Sequence, residues 1–139
     1  MPRTYVANGN IKPSTIVCLD ASTSWRVIAA VGNTQDSTVI GIAQDGPYQA
    51  PGVTGSGAYA AAAGIPLEVY TCNDICLLLL GANCNAGDYL KADANAAGTP
   101  ASLSANTEQD IIAKAEQAGI TGDLVRVVVL SPTSSIAHV

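Results

Sequence analysis

Phenylalanine is absent from this 139-residue chain, and its aromatic residues are Trp25 and five tyrosines. So few rings argue against an aromatic-lined cleft for a sugar or a platform on which unpaired bases stack. Charge is scarce as well. Asp, Glu, Lys and Arg make up 12% of the residues, about half the usual share of a soluble domain. The formal net charge of −5 disfavours a nucleic-acid partner. Histidine occurs once, as His138 next to the C-terminus, a poor place to hold a proton-transfer group in register. There is no Walker loop and no nucleophile elbow; Gly55-Ser56-Gly57 lacks a strand-turn-helix context. The longest apolar stretch, Ile75 to Ala82, falls far short of the ~20 residues that span a bilayer. No signal-peptide pattern occurs either. These absences predict a protein that is not an enzyme, carries no cofactor or metal, and engages neither nucleic acid nor membrane.

What is present points to strands. Hydrophobic residues make up 48% of the chain, and they are mostly Ala, Val, Ile and Leu, with 13 glycines. Small and β-branched residues with frequent glycine suit short strands and tight turns. The length fits one domain able to bury roughly two-thirds of its unfolded surface. Low charge leaves few solvated faces, as expected of a surface partly hidden in an assembly. The charge is also uneven. Residues 1–26 hold Arg3, Lys12 and Arg26 against Asp20, and the remainder is strongly acidic.

Along the chain, residues 1–13 read as an extended arm with a turn at Asn8-Gly9. Strands are predicted at Thr15–Leu19, Trp25–Val31 (Trp25, Val27 and Ala29 on one face), Val39–Gln44, Leu67–Thr71, Ile75–Leu80, Tyr89–Ala92 and Leu124–Leu130. Gly41 inside its strand suggests a bulge or a close backbone approach. Leu67–Thr71 and Ile75–Leu80 read as a hairpin through Cys72, Asn73 and Asp74. The unbroken apolar run Cys76–Leu80 predicts burial on both of its faces. Residues 46–64 and 95–105 read as loops. Residues 131–139 read as an exposed, mobile tail. Thr107–Gly119 fits a capped helix or an alternating strand. A faint echo links VIGIAQDG and PLEVY to IIAKAEQAG and GDLVRVVVL, two strand pairs that could close around one barrel or sandwich.

The four cysteines are Cys18, Cys72, Cys76 and Cys84. Their spacing is poor for zinc. Buried apolar thiols are the default reading, with a Cys76–Cys84 disulfide as the alternative. Asp20, Asp45, Asp88 and Asp123 flank turns, where Asp accepts local backbone hydrogen bonds.

Four stretches in order, ANGNIKPSTIV (7–17), VIGIAQDG (39–46), LLLLGANCNAGDYLKADANAAG (77–98) and IIAKAEQAGITGDLVRVVVL (111–130), resemble the small decoration (cement) proteins of tailed-phage heads. The opening matches an A-N-G-x-I-x-P arm, and the third stretch an apolar strand followed by Gly-Asp-x-Leu-x-x-Asp. Residues 47–63 and those after Leu130 depart from the compact pattern. The resemblance implies an all-β, barrel- or sandwich-like domain over 14–130, with at most one short helix, and a strand for Thr107–Gly119. It also implies a homotrimer on the outer surface of the head, at three-fold and quasi-three-fold positions. That protein, made in the bacterial host's cytoplasm, would stabilise the lattice of the major capsid protein. An extended arm that adds a strand to a neighbour's sheet makes Arg3, Tyr5, Val6, Asn8, Ile11 and Lys12 the candidate capsid contacts. The alternatives are an ordinary N-terminal strand for the segment and, for the protein, a virion or cell-surface adhesion module.

Overall fold

In a computed structural model of the chain, the structure describes residues 3–20, 25–30, 39–44, 61, 63–93, 95–101 and 108–136. Among them there is no helix, as an all-β chain requires. Strands β1 (Arg3–Ala7), β2 (Ile16–Leu19), β3 (Arg26–Ala29), β4 (Val39–Ala43) and β5 (Pro66–Tyr70) close into a barrel in the order β1-β3-β2-β4-β5. Its pairs are antiparallel except β1 with β3. Strands β6 (Ile75–Leu79), β7 (Tyr89–Ala92), β8 (Gly98–Pro100), β9 (Glu108–Ala115) and β10 (Leu124–Ile136) form a second sheet, ordered β6-β10-β9-β7-β8. Its two edges meet at one parallel bridge, Leu80 with Gly98.

A five-stranded barrel is narrow. Its interior is filled by Ala7, Ile11, Val17, Val27, Ala43, Ala61, Leu67 and Val69, which gives the missing phenylalanine a physical sense. Gly41 shows both features expected of it. A Cβ there would lie 2.0 Å from the Tyr70 carbonyl oxygen, and the register of β2 on β4 shifts beside it, between Val17 and Cys18.

The second sheet repeats the plan of the barrel. The Ala7 N–H donates to the Ile65 carbonyl (3.0 Å) and the Gly64 N–H to the Ala7 carbonyl (2.7 Å). At the matching place the Leu80 N–H donates to Asp123 (2.9 Å) and the Gly122 N–H to Leu80 (2.8 Å). Ile11 and Ala61 exchange backbone bonds, and so do Cys84 and Gly119. The Ala43 N–H reaches the Thr15 carbonyl as that of Ala115 reaches Asp88, each at 2.8 Å. Even the register shift recurs, between Leu90 and Lys91 on β7 as between Val17 and Cys18 on β2.

The halves interlock through the outer face of β2 and β4. Ile16, Cys18, Val39 and Ile42 point away from the barrel interior into the second core, with Leu78, Leu90, Ile112, Val127 and Val129. Backbone bonds tie the joint: Leu79 N–H to Ser14 O and Ile16 N–H to Ala96 O, both 2.8 Å.

Several expectations change. The segment expected to be an arm is strand β1, paired on both edges, by β3 and β5, because barrel closure needs that strand. β5 and β6 are not a hairpin. The 71–74 turn carries the chain from barrel to second sheet, since β5 is already paired by β1 and β4, and β6 pairs with β10. The two echoing strand pairs lie in separate sheets, not around one barrel. Trp25 precedes β3, is 78% exposed, and does not share the inward face of Val27. Residues 98–100 of the expected loop are β8. Residues 131–136 of the expected tail continue β10, with residues 133–136 paired by the first residues of β9. Residues 137–139, and all of the 46–64 loop except 61, 63 and 64, lie outside the described residues. Within the 107–119 segment, Glu108–Ala115 is strand β9, held between β7 and β10, and residues 116–119 leave it. Two-sided pairing outweighs its helical propensity.

Candidate interaction surface

Four aspartates among the described residues are committed to turns. Asp74 accepts from the Thr71 N–H (2.9 Å), Asp88 from Asn85 (2.9 Å) and Asp123 from Ile120 (3.0 Å). Asp93 takes the N–H groups of Asn95 (2.8 Å) and Ala97 (3.0 Å). Asp20 accepts from the Asn8 side chain. Asp45 lies outside the described residues. Among the described residues, no three or more of His, Cys, Asp and Glu gather as a metal would need. None of the four cysteines forms a disulfide: Cys18, Cys76 and Cys84 are buried and Cys72 is exposed. The alternative Cys76–Cys84 bridge is therefore not made. The Cys84 thiol is instead aimed at the Gln117 carbonyl (3.8 Å), and burial pushes its pKa above the ordinary value. A thiol so placed is a core side chain rather than a nucleophile.

The six N-terminal candidates do not form one surface. Ile11 is fully buried, bridged to Ala61, and serves the barrel core. Tyr5 is half-buried against the same core. Arg3 and Asn8 are exposed at opposite ends of β1, and Lys12 is exposed beyond it. Val6 is half-buried and pairs with Pro66. β1 is paired by β5 along residues 3–6 and by β3 at Val6 and Ala7, so it is a strand of this chain's own barrel and not a free arm.

A surface the sequence reading did not identify lies on β6 and β10. Cys76, Leu78 and Leu80 point inward, as do Val125, Val127 and Val129. The alternate residues therefore face out. They make cross-strand pairs, Ile75 with Val128, Leu77 with Arg126 and Leu79 with Leu124. Ile75 is 55% and Leu124 48% exposed, and Leu77, Leu79 and Val128 are half-buried. Ile120, in the turn that enters β10, is 63% exposed. The one charge in the row, Arg126, is paired with Glu116 (Nε to Oε1, 2.9 Å). The signal was the run Cys76–Leu80, which predicted cover on both faces; its inner residues are buried, whereas Leu77 and Leu79 on the outer face are half-buried.

No protein-family model and no curated protein matches this sequence. Among solved structures, the fold is similar to that of the head fiber gp8.5 N base of bacteriophage phi29. The likeness has a TM-score of 0.53 and 14% identity, over 97% of this chain and 98% of that one. The chain thus has the fold of that base.

Proposed function

We propose that this chain is a structural protein of a phage head. It would sit on the outer surface, bind the major capsid protein lattice and stabilise it as a homotrimer at three-fold and quasi-three-fold positions, with no enzymatic activity. The observation that carries this reading is the end-to-end likeness to the base of a phage head fiber, which spans nearly the whole of both chains. The sequence resemblance to head-decoration proteins points independently to the same place. The side chains agree with it. Carboxylates are used in turns, charge is sparse, and apolar side chains face outward on β6 and β10. In an oligomer, several weak footprints add through effective concentration. Of the six N-terminal candidates, Arg3, Asn8 and Lys12 are exposed and would be the ones to meet an acidic capsid surface.

The test is incubation of the purified protein with undecorated heads, followed by sedimentation. Saturation at a fixed ratio to major capsid subunits is expected, with later release of genome on heating. Absence of saturable head binding, or attachment to cells that depends on a sugar, would refute the proposal.

A further inference from the structure

The outer faces of the two halves differ where their backbones match. In the barrel the surface equivalent to β6/β10 is β1/β5, and its outward cross-strand pairs are Thr4 with Glu68 and Val6 with Pro66. In the second sheet the same places hold Leu77 with Arg126 and Leu79 with Leu124. Thr4 and Glu68 show that the fold does not demand apolar side chains at the first of these places; the second is apolar in both halves, with leucines only in the second sheet. The chain's other outward apolar surface, on β2 and β4, is covered by a repeat of its own plan. The β6/β10 surface is left partly open to water, with Ile75, Ile120 and Leu124 each about half exposed or more.

We infer that this β6/β10 face is the contact between copies of the chain, each copy's face covered by that of its neighbours. Two features favour another copy over a different partner. The row carries no unbalanced charge, so molecules of net charge −5 can approach through it without like charges meeting at its centre. Its margin also holds both signs: Arg126 and Glu116 lie beside the row, and the Asp74 and Asp123 carboxylates at its ends accept from the N–H groups of their own turns. Arg126 is 62% exposed on its side chain and Glu116 35%, so the Arg126 of one copy can meet the Glu116 of the next. Covering Leu77, Leu79 and Leu124 completes the burial on both faces of β6 that its unbroken apolar run specifies. This inference rests on the homo-oligomer of the proposed function and names the surface that builds it.

The experiment measures the oligomeric state of the full chain, without heads, by sedimentation velocity over about a hundredfold range of concentration. Wild type is expected to be a discrete oligomer. Ile75→Glu and Leu124→Glu, at positions the monomer already leaves open, are expected to weaken association by about a hundredfold or more each, with the strand signal in circular dichroism unchanged. If a glutamate variant misfolds, Ile75→Ser and Leu124→Ser provide the same reading with a smaller loss. Thr4→Glu, on the matched face of the barrel, should leave association unchanged. A monomeric wild type, or an oligomer indifferent to all four substitutions, would overturn the inference. Head binding by a monomer would do so and would also remove the homotrimer from the proposed function, leaving head binding itself intact. An oligomer dissolved by these substitutions but unable to bind heads would uphold the inference and refute that function.

Discussion

On the barrel, the outward pairs of β2 and β4 are Ile16 with Ile42 and Cys18 with Val39, all buried in the second core. On the second sheet the matching pairs are Tyr89 with Lys114 and Lys91 with Ile111. There Tyr89 is 42% exposed, and the Lys114 ammonium lies over the Tyr89 ring, 5.7 Å from its centroid. Two copies of one backbone plan thus carry opposite chemistry on equivalent surfaces. The difference decides how the chain stacks. A repeat whose outward face is apolar needs another repeat upon it, whereas one ending in lysines and a tyrosine hydroxyl is content in water. The β7/β9 face therefore terminates the stack on that side.

Exchanging residues between the equivalent positions breaks the comparison most sharply. Ile42→Lys puts the second half's residue into the joint, where a fully buried aliphatic side chain now stands. Its ammonium would have no partner among Leu78, Ile112 and Val129. An uncompensated buried charge costs several kcal/mol. We expect a loss of at least about 3 kcal/mol in urea denaturation, with a lower unfolding midpoint. The reciprocal Lys114→Ile removes only an exposed cation and its contact with Tyr89, so stability should stay within about 0.5 kcal/mol. Equal costs for the two substitutions would mean that the faces are not differently covered.

Much of this organisation was legible in the sequence, and the unread parts share a cause. The strands stand where short β-branched runs stood. Gly41 announced its close approach, and the likeness of VIGIAQDG to IIAKAEQAG marked β4 and β9 as equivalents. Pairing was not legible. Nothing local in Pro66–Tyr70 and Ile75–Leu79 says that two strands joined by a four-residue turn belong to different sheets; the remote partners β1, β4 and β10 decide that. The same holds for the N-terminal segment, which looked like an arm because its closing contacts, from Ile65, Trp25 and Val27, are distant in sequence. Of the candidate contact residues, Ile11 failed for that reason too, its bridge partner Ala61 lying far along the chain. The β6/β10 face was visible only as an excess of leucine, since periodicity marks burial without saying whose atoms provide it.

A second difference lies where Asn8 matches Gly81. In the barrel the Asn8 side chain reaches the Asp20 carboxylate. In the second half there is no side chain at that place, and the carboxylate of Asp93 occupies the room: a Cβ on Gly81 would fall 1.8 Å from its Oδ2. Asp93 cannot yield freely, because its other oxygen holds the Asn95 and Ala97 N–H groups. Gly81→Ala must break that cap or shift the strand end, at about 1–3 kcal/mol. Asn8→Ala removes one exposed bond and should cost no more than about 1 kcal/mol. Denaturant midpoints of the two variants, compared at equal slope, check the order. A harmless Gly81→Ala would show that the Asp93 turn is not fixed by this contact.

At a third pair of equivalent places a substitution is expected to stabilise the protein. Ser14 and Gly87 hold equivalent places, just before the residues whose carbonyls accept from Ala43 and Ala115, and both have positive φ, 58° and 93°. Glycine adopts that conformation without penalty, whereas an L side chain costs about 1–2 kcal/mol there. Ser14 bears a further burden: its hydroxyl is buried with no hydrogen-bond partner, worth about another 1–3 kcal/mol. Against these stand the greater freedom of an unfolded glycine, about 0.5–1 kcal/mol, and the packing lost with the side chain. Ser14→Gly should therefore stabilise the protein by about 1 kcal/mol. Gly87→Ser, in open surroundings where water can satisfy the hydroxyl, should destabilise by about the same amount. Thermal melts at one protein concentration measure both. The signs must be opposite if the two turns are the same piece of backbone in different surroundings, and a loss from Ser14→Gly would mean that the serine is held by its packing at the joint.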